Sequence, residues 1–199
     1  MILNKTLYEI EKNKRRSTTC FLAVVLVLII ILASISYLYT SVFIRVLVKG
    51  ESMENTLLDQ DVITVNTKKE FDYGDIIVIK NEGNGWIIKR LIAKGGDKVL
   101  IANGYVFRND VKLEEPYIKE EGSTYYPDCS DKNNLETIEF IIPEGEVFFL
   151  GDNRTRSSDS RNPFYGTTEE KNIVGVVTPF YLKYKNFTKK LVGARIAEN

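Results

Sequence analysis

The chemistry open to this sequence is limited first by an absence, since the 199-residue chain contains no histidine. Without imidazole, Ser-His-Asp and Cys-His nucleophilic schemes are excluded, and so is a zinc site that requires a histidine ligand. General acid–base chemistry must then use Lys, Asp, Glu, Tyr or Cys. For a hydrolase, the remaining options are a pair of carboxylates or a serine that is deprotonated by a lysine.

Lys89 is the lysine whose sequence context best suits a general base. Only a neutral amine can accept a proton, so the pKa of such a lysine must fall from about 10.4 to near neutrality, which burial in apolar surroundings achieves. Lys89 follows the apolar residues 86–88 in a β-rich run, whereas most other lysines stand in polar company and Lys80 ends its run beside a polar residue. From spacing alone, an outward-facing lysine on a half-buried strand is the simpler interpretation.

Ser52 lies in the irregular stretch VKGESMENTL (48–57), a few residues after a long apolar run. This stretch has no strand period, so Ser52 is either an ordinary turn serine or a nucleophile placed close to a membrane surface. The later stretch GDNRTRSSDSR (151–161) raises the same choice. Taken alone, it is explained by a β-turn held by hydrogen bonds of its Asp and Asn side chains.

Residues 20–44 are the element that would anchor the chain in a membrane, because they contain no charge, proline or glycine and are long enough to span a bilayer as a helix. Several basic residues precede this run, and only Arg45 and Lys49 follow it closely. The positive-inside rule therefore predicts that residues 1–19 are a cytoplasmic basic tail and that residues 45–199 are extracytoplasmic. A cleaved signal peptide is the alternative, although its apolar core is typically shorter and no clean cleavage site follows here.

After about residue 46, the chain shows the short period of β-strands. Runs rich in β-branched residues are separated by turn signals, and no helical period longer than two turns is evident. The strand candidates are residues 61–66, 74–80, 86–101, 105–110, 137–142, 146–153 and 172–183. The pattern predicts a mostly β fold, an antiparallel β barrel or sandwich preceded by one transmembrane helix. Residues 112–136 are polar, contain two prolines and are predicted to form a surface loop.

The composition argues against two kinds of partner. Lysines plus arginines equal aspartates plus glutamates at 27 each, so no basic bias indicates nucleic acid. The two cysteines, Cys20 and Cys129, would lie in different compartments, and we do not expect them to form a disulfide.

Four motifs, in order, resemble those of the type I signal peptidases, the membrane-bound Ser/Lys proteases that remove signal peptides from exported proteins. GESMENTL (50–57) resembles the nucleophile segment S-M-x-P-T-L, and GDIIVIK (74–80) resembles the next box. IIKRLIAKGGDKV (87–99) resembles the lysine box, and GDNRTRSSDSR (151–161) fits the last box, G-D-N-R-x-x-S-x-D-S-R, at every fixed position. The match covers most of the chain, and it favours the catalytic interpretation of the serine and the lysine.

The resemblance implies a role for each matching residue. Ser52 would be the nucleophile, with its own backbone N–H as one oxyanion donor, and Lys89 would be the general base. Ser157 would hydrogen-bond the lysine amine and orient it. The residues that would brace the site through ion pairs and hydrogen bonds are Asp152, Arg154, Asp159 and Arg161.

Small apolar pockets for the substrate residues at −1 and −3 of the cleavage site are also implied by the resemblance. The residues expected to line these pockets are Val48, Met53, Leu57, Ile63 and Ile88. Such pockets favour cleavage sites of the Ala-x-Ala type, because forcing in a larger side chain costs about 1–3 kcal/mol.

Two positions depart from the family pattern. Met53 is followed by Glu54 and Asn55, so the proline of the motif is absent, and we expect a less rigid turn without loss of chemistry. Gly50 stands where some members have a serine whose hydroxyl is the second oxyanion donor, which leaves that donor unassigned. A glycine there, together with a short polar loop, resembles the single-span enzymes of Gram-positive bacteria.

The resemblance further implies preprotein substrates, a place in the cell membrane near the secretion translocon, and no cofactor or metal. Two other functions fit parts of the sequence. A self-cleaving Ser/Lys repressor has a related fold but carries a DNA-binding domain, for which residues 1–19 are too short. A catalytically silent, anchored β module would not require both Ser52 and Lys89.

Overall fold

The structure is a computed structural model, and it describes residues 2–81, 85–125, 137–178 and 195–198. The chain divides into two compact units, Met1–Val42 and Phe43–Asn199.

The first unit is a single helix, α1, which runs from Ile2 to Val42. Within Lys14–Val42, the most apolar window of 18 residues has a mean hydropathy of 3.0, and none of that window is buried within the structure. Its length and composition therefore suit a membrane span, although an N-terminal signal sequence meets the same criteria. The helix also includes the predicted basic tail, because no proline or glycine interrupts residues 2–19.

The change from helix to strand falls two residues before the boundary that we predict at residue 44. Phe43 and Ile44 are apolar like the preceding helix, but they pair with Asn66 and Val65 of a neighbouring strand. Pairing across strands thus decides their conformation, and hydropathy along the chain does not detect it.

In its described part, the second unit contains twelve strands and two short 3-10 helices. The strands are β1 Phe43–Lys49, β2 Val62–Asn66, β3 Ile76–Lys80, β4 Trp86–Lys94, β5 Lys98–Ala102, β6 Tyr105–Arg108, β7 Val111–Lys112, β8 Ile138–Ile141, β9 Glu146–Leu150, β10 Thr168–Glu169, β11 Ile173–Val177 and β12 Arg195–Glu198. The 3-10 helices are Arg154–Arg156 and Glu170–Asn172. Every predicted run contains at least one of these strands, whereas β1, β7, β10 and β12 lie outside the predicted runs.

The strands form two sheets. The larger has the order β10-β9-β4-β3-β11-β2-β1-β12, and the smaller has the order β7-β6-β5-β8. All described pairings are antiparallel except the one between β1 and β12, which is parallel. The predicted mostly antiparallel β fold, preceded by one apolar helix, is confirmed.

The first of three hydrophobic clusters in the second unit holds the segment that carries Ser52. Inward-facing residues alternate along β1, as they do in a strand with one buried face. They pack with the loop residues Met53 and Leu57 and with Ile88 of β4. This cluster therefore fixes the loop after β1 and the strand β4 against one common core.

In the predicted surface loop over residues 112–136, residues 113–122 contain no helix or strand and are exposed or half-buried, as predicted, whereas Ser123 and Thr124 are buried and residues 126–136 lie outside the described residues. Residues 112–125 are described, and within them Thr124 is completely buried. The backbone N–H of Thr124 donates to Gly104 O at 3.0 Å, so this segment packs back onto the β5–β6 turn. Polar composition gives no sign of such packing, because the contacts are made with residues distant in sequence.

Candidate active site

Residues 50–61 form a compact loop that holds Ser52 at the end of β1. The N–H of Gln60 donates to Val48 O at 2.9 Å, which closes the loop on the strand. Gly50 adopts a φ of 98°, a conformation that favours glycine, at the point where the chain leaves β1. Ser52 is only 2% exposed, so an ordinary turn serine facing the solvent is excluded.

Asn55 explains how this loop forms without the proline of the motif. Its φ is 91°, in the left-handed region that asparagine tolerates better than most residues. Proline is locked near −65° and could not adopt this conformation. The loop is anchored by Met53 and Leu57, whose side chains are fully buried and whose backbones are joined by a 2.8 Å hydrogen bond from Leu57 N to Met53 O.

Lys89 points inward from β4 and is 1% exposed, which excludes the outward-facing lysine that spacing alone favours. Its Nζ donates a hydrogen bond to Ser52 Oγ at 2.6 Å. The contact joins β4 to the loop after β1 although the two residues lie 37 positions apart in the chain. The structure thus brings together the two residues that the sequence singled out from different motifs.

Burial lowers the pKa of the Lys89 amine from 10.5 to about 8. The carboxylate of Asp159 raises this pKa, the guanidinium of Arg161 lowers it, and the carboxylate of Asp152 raises it. A lysine with a pKa of about 8 is partly neutral just above neutral pH. The pair can therefore transfer the hydroxyl proton of Ser52 to the amine, which would generate an alkoxide nucleophile.

Gly151 permits the close approach of the last motif to Ser52. A Cβ atom at this position would lie 2.2 Å from Ser157 Oγ and 2.6 Å from Ser52 O, both shorter than any real contact. The next residue but one, Asn153, donates its backbone N–H to Ser52 O at 2.9 Å. The glycine of the motif is therefore required by packing around the serine.

Ser157 does not make its predicted contact. Its Oγ is buried and makes no hydrogen bond to the Lys89 amine, and its hydroxyl instead helps to hold the pKa of Asp159 below its usual range. Ser157 Oγ packs instead beside Gly151, on the same side of the motif as Ser52 O. Ser157 therefore interacts with the carboxylate that raises the pKa of Lys89, and not with the amine itself.

Asp152 is held by Arg90 in a two-pronged ion pair. Arg90 Nε donates to Asp152 Oδ1 at 2.8 Å, and Arg90 Nη2 donates to Asp152 Oδ2 at 2.6 Å. The hydroxyl of Thr56 also donates to Asp152 Oδ2. Because Thr56 lies in the loop of Ser52 and Arg90 directly follows Lys89, this carboxylate joins the two segments that carry the pair.

Arg154 is paired with Glu115, an acid that lies far away in the sequence. Arg154 Nη2 and Glu115 Oε1 are 2.5 Å apart, and Arg154 Nη1 donates to Thr124 Oγ1 at 2.5 Å. Tyr117 donates its hydroxyl to Glu115 Oε1 at 2.9 Å, and the Arg90 guanidinium lies over the Tyr117 ring at 3.8 Å. The two arginines are thus linked through one aromatic side chain and one carboxylate.

Asp159 and Arg161 form a second two-pronged pair, with Arg161 Nε donating to Asp159 Oδ1 at 2.8 Å and Nη2 donating to Oδ2 at 2.9 Å. Burial raises the pKa of Asp159, but Arg161 and the N–H of Gly151 outweigh this effect and hold the pKa below its usual range. Arg161 also donates to Arg154 O and Tyr125 O at 2.8 and 2.7 Å. The four predicted bracing residues are therefore all buried and paired.

Sequence reasoning missed part of this network. Arg90 lies in the motif at 87–99 and Thr56 lies in the motif at 50–57. Their places in these motifs are the signal from which a role in the site could be predicted. Glu115, Tyr117 and Thr124 come from the polar range that predicts a loop, and nothing in their local sequence indicates a role.

The five predicted pocket residues lie together in the first hydrophobic cluster, beside the loop of Ser52. These residues are Val48, Met53, Leu57, Ile63 and Ile88, and each is completely buried. Their role as the lining of a substrate pocket stays a prediction.

Within the described residues, no group of three or more Cys, Asp or Glu side chains is arranged to hold a metal ion. Cys20 is exposed and free, and Cys129 lies outside the described residues, so the prediction about a disulfide stays open.

The described β unit is mostly antiparallel, and it holds a buried serine and a buried lysine in contact. A family model described as signal peptidase, peptidase S26, matches residues 18–182. The chain belongs to this family of peptidases, which confirms the resemblance seen in the four motifs.

Relatives named signal peptidase I match over most of their length. Signal peptidase I U of Bacillus subtilis (strain 168) is 36% identical over 172 residues, covering 82% of this chain and 87% of that protein. Signal peptidase I of Bacillus amyloliquefaciens is 30% identical over 192 residues, covering 91% and 97%. A crystal structure of a signal peptidase I from Enterococcus faecalis V583 is 29% identical, with a TM-score of 0.43 over 55% of this chain and 98% of that one.

Asp152→Asn is expected to lower the free energy of unfolding by about 3–5 kcal/mol, because it leaves the buried Arg90 guanidinium without a countercharge. The matched control is Glu169→Gln, which removes the acid from an exposed pair with Lys171 and should cost less than about 1 kcal/mol. Urea unfolding followed by circular dichroism measures both. Equal losses in the two variants would contradict the structural role of the Arg90–Asp152 pair.

Gly151→Ala is expected to lower the free energy of unfolding by about 1–3 kcal/mol, since the added methyl group overlaps Ser157 Oγ and Ser52 O. Gly85→Ala is the control, because no atom of the described residues lies within 4 Å of a Cβ atom at that position. Thermal unfolding of the two variants compares them directly. A Gly151→Ala variant as stable as the parent would show that this close approach is not required.

Proposed function

We propose that the chain is a type I signal peptidase, an endopeptidase that removes N-terminal signal peptides from translocated preproteins at sites of the Ala-x-Ala type. Ser52 is the nucleophile and Lys89 is the general base. The observation that carries this proposal is the 2.6 Å contact between Lys89 Nζ and Ser52 Oγ inside the protein core.

The proposed reaction uses these two side chains and one water molecule. The neutral amine of Lys89 takes the hydroxyl proton as Ser52 Oγ attacks the scissile carbonyl carbon, which gives a tetrahedral oxyanion. The resulting ammonium then donates the proton to the leaving amine as the C–N bond breaks, which leaves an acyl-enzyme. A water molecule then attacks the ester carbon while Lys89 takes one of its protons, and the ammonium returns this proton to Ser52 Oγ as the bond between that oxygen and the acyl carbon breaks, which releases the second product as a carboxylic acid.

The oxyanion needs hydrogen-bond donors at the place where charge develops. The backbone N–H of Ser52 is the proposed first donor, and each such donor contributes about 3 kcal/mol to the transition state. Gly50 supplies no side-chain hydroxyl, so the second donor is a backbone group or a water molecule.

The supporting residues set the proton affinity and the orientation of Lys89. Asp159 and Asp152 favour the ammonium form and oppose the effect of burial, so the amine can both take and return a proton near pH 8. Ser157 is proposed to accept a hydrogen bond from the amine after a side-chain rotation that takes its hydroxyl away from Asp159. Arg154 and Arg161 hold the last motif in place.

The substrate preference follows from the cluster around Ser52. The pockets for the residues at −1 and −3 are proposed to involve Val48, Met53, Leu57, Ile63 and Ile88, which lie together. Because these side chains are branched or long and closely packed, only a small substrate residue such as alanine can enter without overpacking.

The helix α1 is proposed to be a retained anchor whose basic N-terminal side stays in the cytoplasm, with the catalytic unit outside the cell membrane. A preprotein held in the same bilayer by its own signal helix would then be confined with the enzyme, and this confinement raises its effective concentration. A position near the secretion translocon would supply such substrates. No cofactor or metal takes part in the proposed reaction.

Ser52→Ala and Lys89→Ala are each expected to reduce kcat for a preprotein with an Ala-x-Ala site by at least about a thousandfold, because each removes one member of a unit that acts together. The controls are Ser158→Ala and Lys80→Ala, which change an exposed serine and an exposed lysine and should leave cleavage unchanged. Full-length protein in detergent, with product masses identified, is the assay. Retained cleavage in either site variant would overturn the assignment, and a catalytically silent module would show no turnover in any variant.

The pH dependence of kcat/KM should follow the titration of Lys89. The base is active when neutral, and its pKa is lowered to about 8, so kcat/KM should rise about tenfold per pH unit below pH 7 and level off above pH 9. Rates at several pH values in a constant-ionic-strength buffer measure this profile. A rate that falls as the pH rises through 8 would contradict a lysine base.

A further inference from the structure

β12 occupies the outer edge of the eight-stranded sheet, beside the strand that leads to Ser52. It pairs with β1 in the register Val46↔Arg195, Leu47↔Ile196, Val48↔Ala197 and Lys49↔Glu198. It also contacts β4, the strand that carries Lys89. The segment therefore lies against both strands that deliver the reactive pair.

The direction of β12 is unusual in this fold, since its pairing with β1 is the single parallel one among the described strands. β1 runs toward Ser52, which follows its last residue, Lys49, by three positions. A strand parallel to β1 therefore advances toward the serine. β12 is a short edge strand, because it has four residues and pairs with one strand among those described. Parallel pairing is also slightly less stable per residue than antiparallel pairing.

A substrate needs the same edge. The residues on the N-terminal side of the scissile bond must run toward the nucleophile, and an extended peptide gains backbone hydrogen bonds when it adds to a sheet edge in this way. β12 meets both conditions. The register also places Ala197 opposite Val48.

We propose that β12 is an internal competitor of the substrate, which fills the edge of β1 and must leave before a preprotein can bind there. This inference rests on the proposed function of the Ser52–Lys89 pair. Only those molecules in which β12 is displaced can bind a preprotein. The apparent KM is therefore the KM of these molecules divided by their fraction of the total. Chemistry after binding is unaffected, so kcat is unchanged.

Deletion of residues 195–199 from the full-length protein should lower KM for a preprotein, by about threefold to tenfold if β12 occupies the edge in most molecules. The value of kcat should stay within about twofold.

Ile196→Pro and Ala197→Pro test the pairing without deletion. Because successive N–H groups of a strand point to opposite sides, at least one of the two prolines removes a hydrogen bond to β1 and should lower KM in the same direction as the deletion. Ala197→Ser is the control and should behave like the parent.

A peptide of residues 191–199 provides a second measurement. In a Ser52→Ala background, which cannot cleave it, a fluorescent form of the peptide should bind the deleted protein more tightly than the full chain, by the same factor as the change in KM. Unlabelled peptide should inhibit the deleted, active enzyme competitively with respect to the preprotein.

The outcomes separate this inference from the function on which it rests. If the full chain cleaves preprotein but deletion leaves KM unchanged, lowers kcat or unfolds the protein, β12 is a structural strand and the proposal is overturned. If no protein cleaves preprotein, the proposed function fails, while tighter binding of the peptide to the deleted Ser52→Ala protein would still support β12 as a displaceable strand.

Discussion

The burial of one amine is the constraint on which the catalytic unit depends. An ammonium group loses its solvation in an apolar core, and this loss lowers the pKa of Lys89 to about 8. The same core must also hold Ser52 within hydrogen-bond distance, so the packing of Met53, Leu57 and Ile88 serves proton affinity and geometry together. Two carboxylates limit the effect, because an amine that is too weak a base could not take the serine proton.

Those carboxylates are themselves buried and need countercharges, which explains the arginines around them. Arg90 and Arg161 each meet one carboxylate with two hydrogen bonds. Buried pairs of this kind add little net stability, but breaking one is costly. The network therefore acts mainly to hold three distant segments in one arrangement, those carrying Lys89, Ser52 and the last motif.

The sequence predicted what is local and could not predict what depends on pairing across the fold. Strand runs, the apolar helix and the Ser52 and Lys89 motifs are visible in periodicity and spacing. The inward direction of Lys89 is not, because a strand residue has two faces and spacing does not choose between them. Glu115 and Tyr117 are invisible for a different reason, since their contacts with Arg154 and Arg90 join positions far apart in a segment without any period.

Lys89 and Arg90 are neighbours on one strand, and their positions are fixed by the pairing of Ile77 with Lys89 and of Ile76 with Arg90. Successive strand residues leave on opposite faces, so a slip of one position would exchange the amine for a guanidinium that keeps its proton at any physiological pH. Such a slip would also separate Arg90 from Asp152, so it would lower stability as well as turnover. The odd or even alignment of β3 with β4 is therefore a requirement of catalysis, as strict as the identity of residue 89.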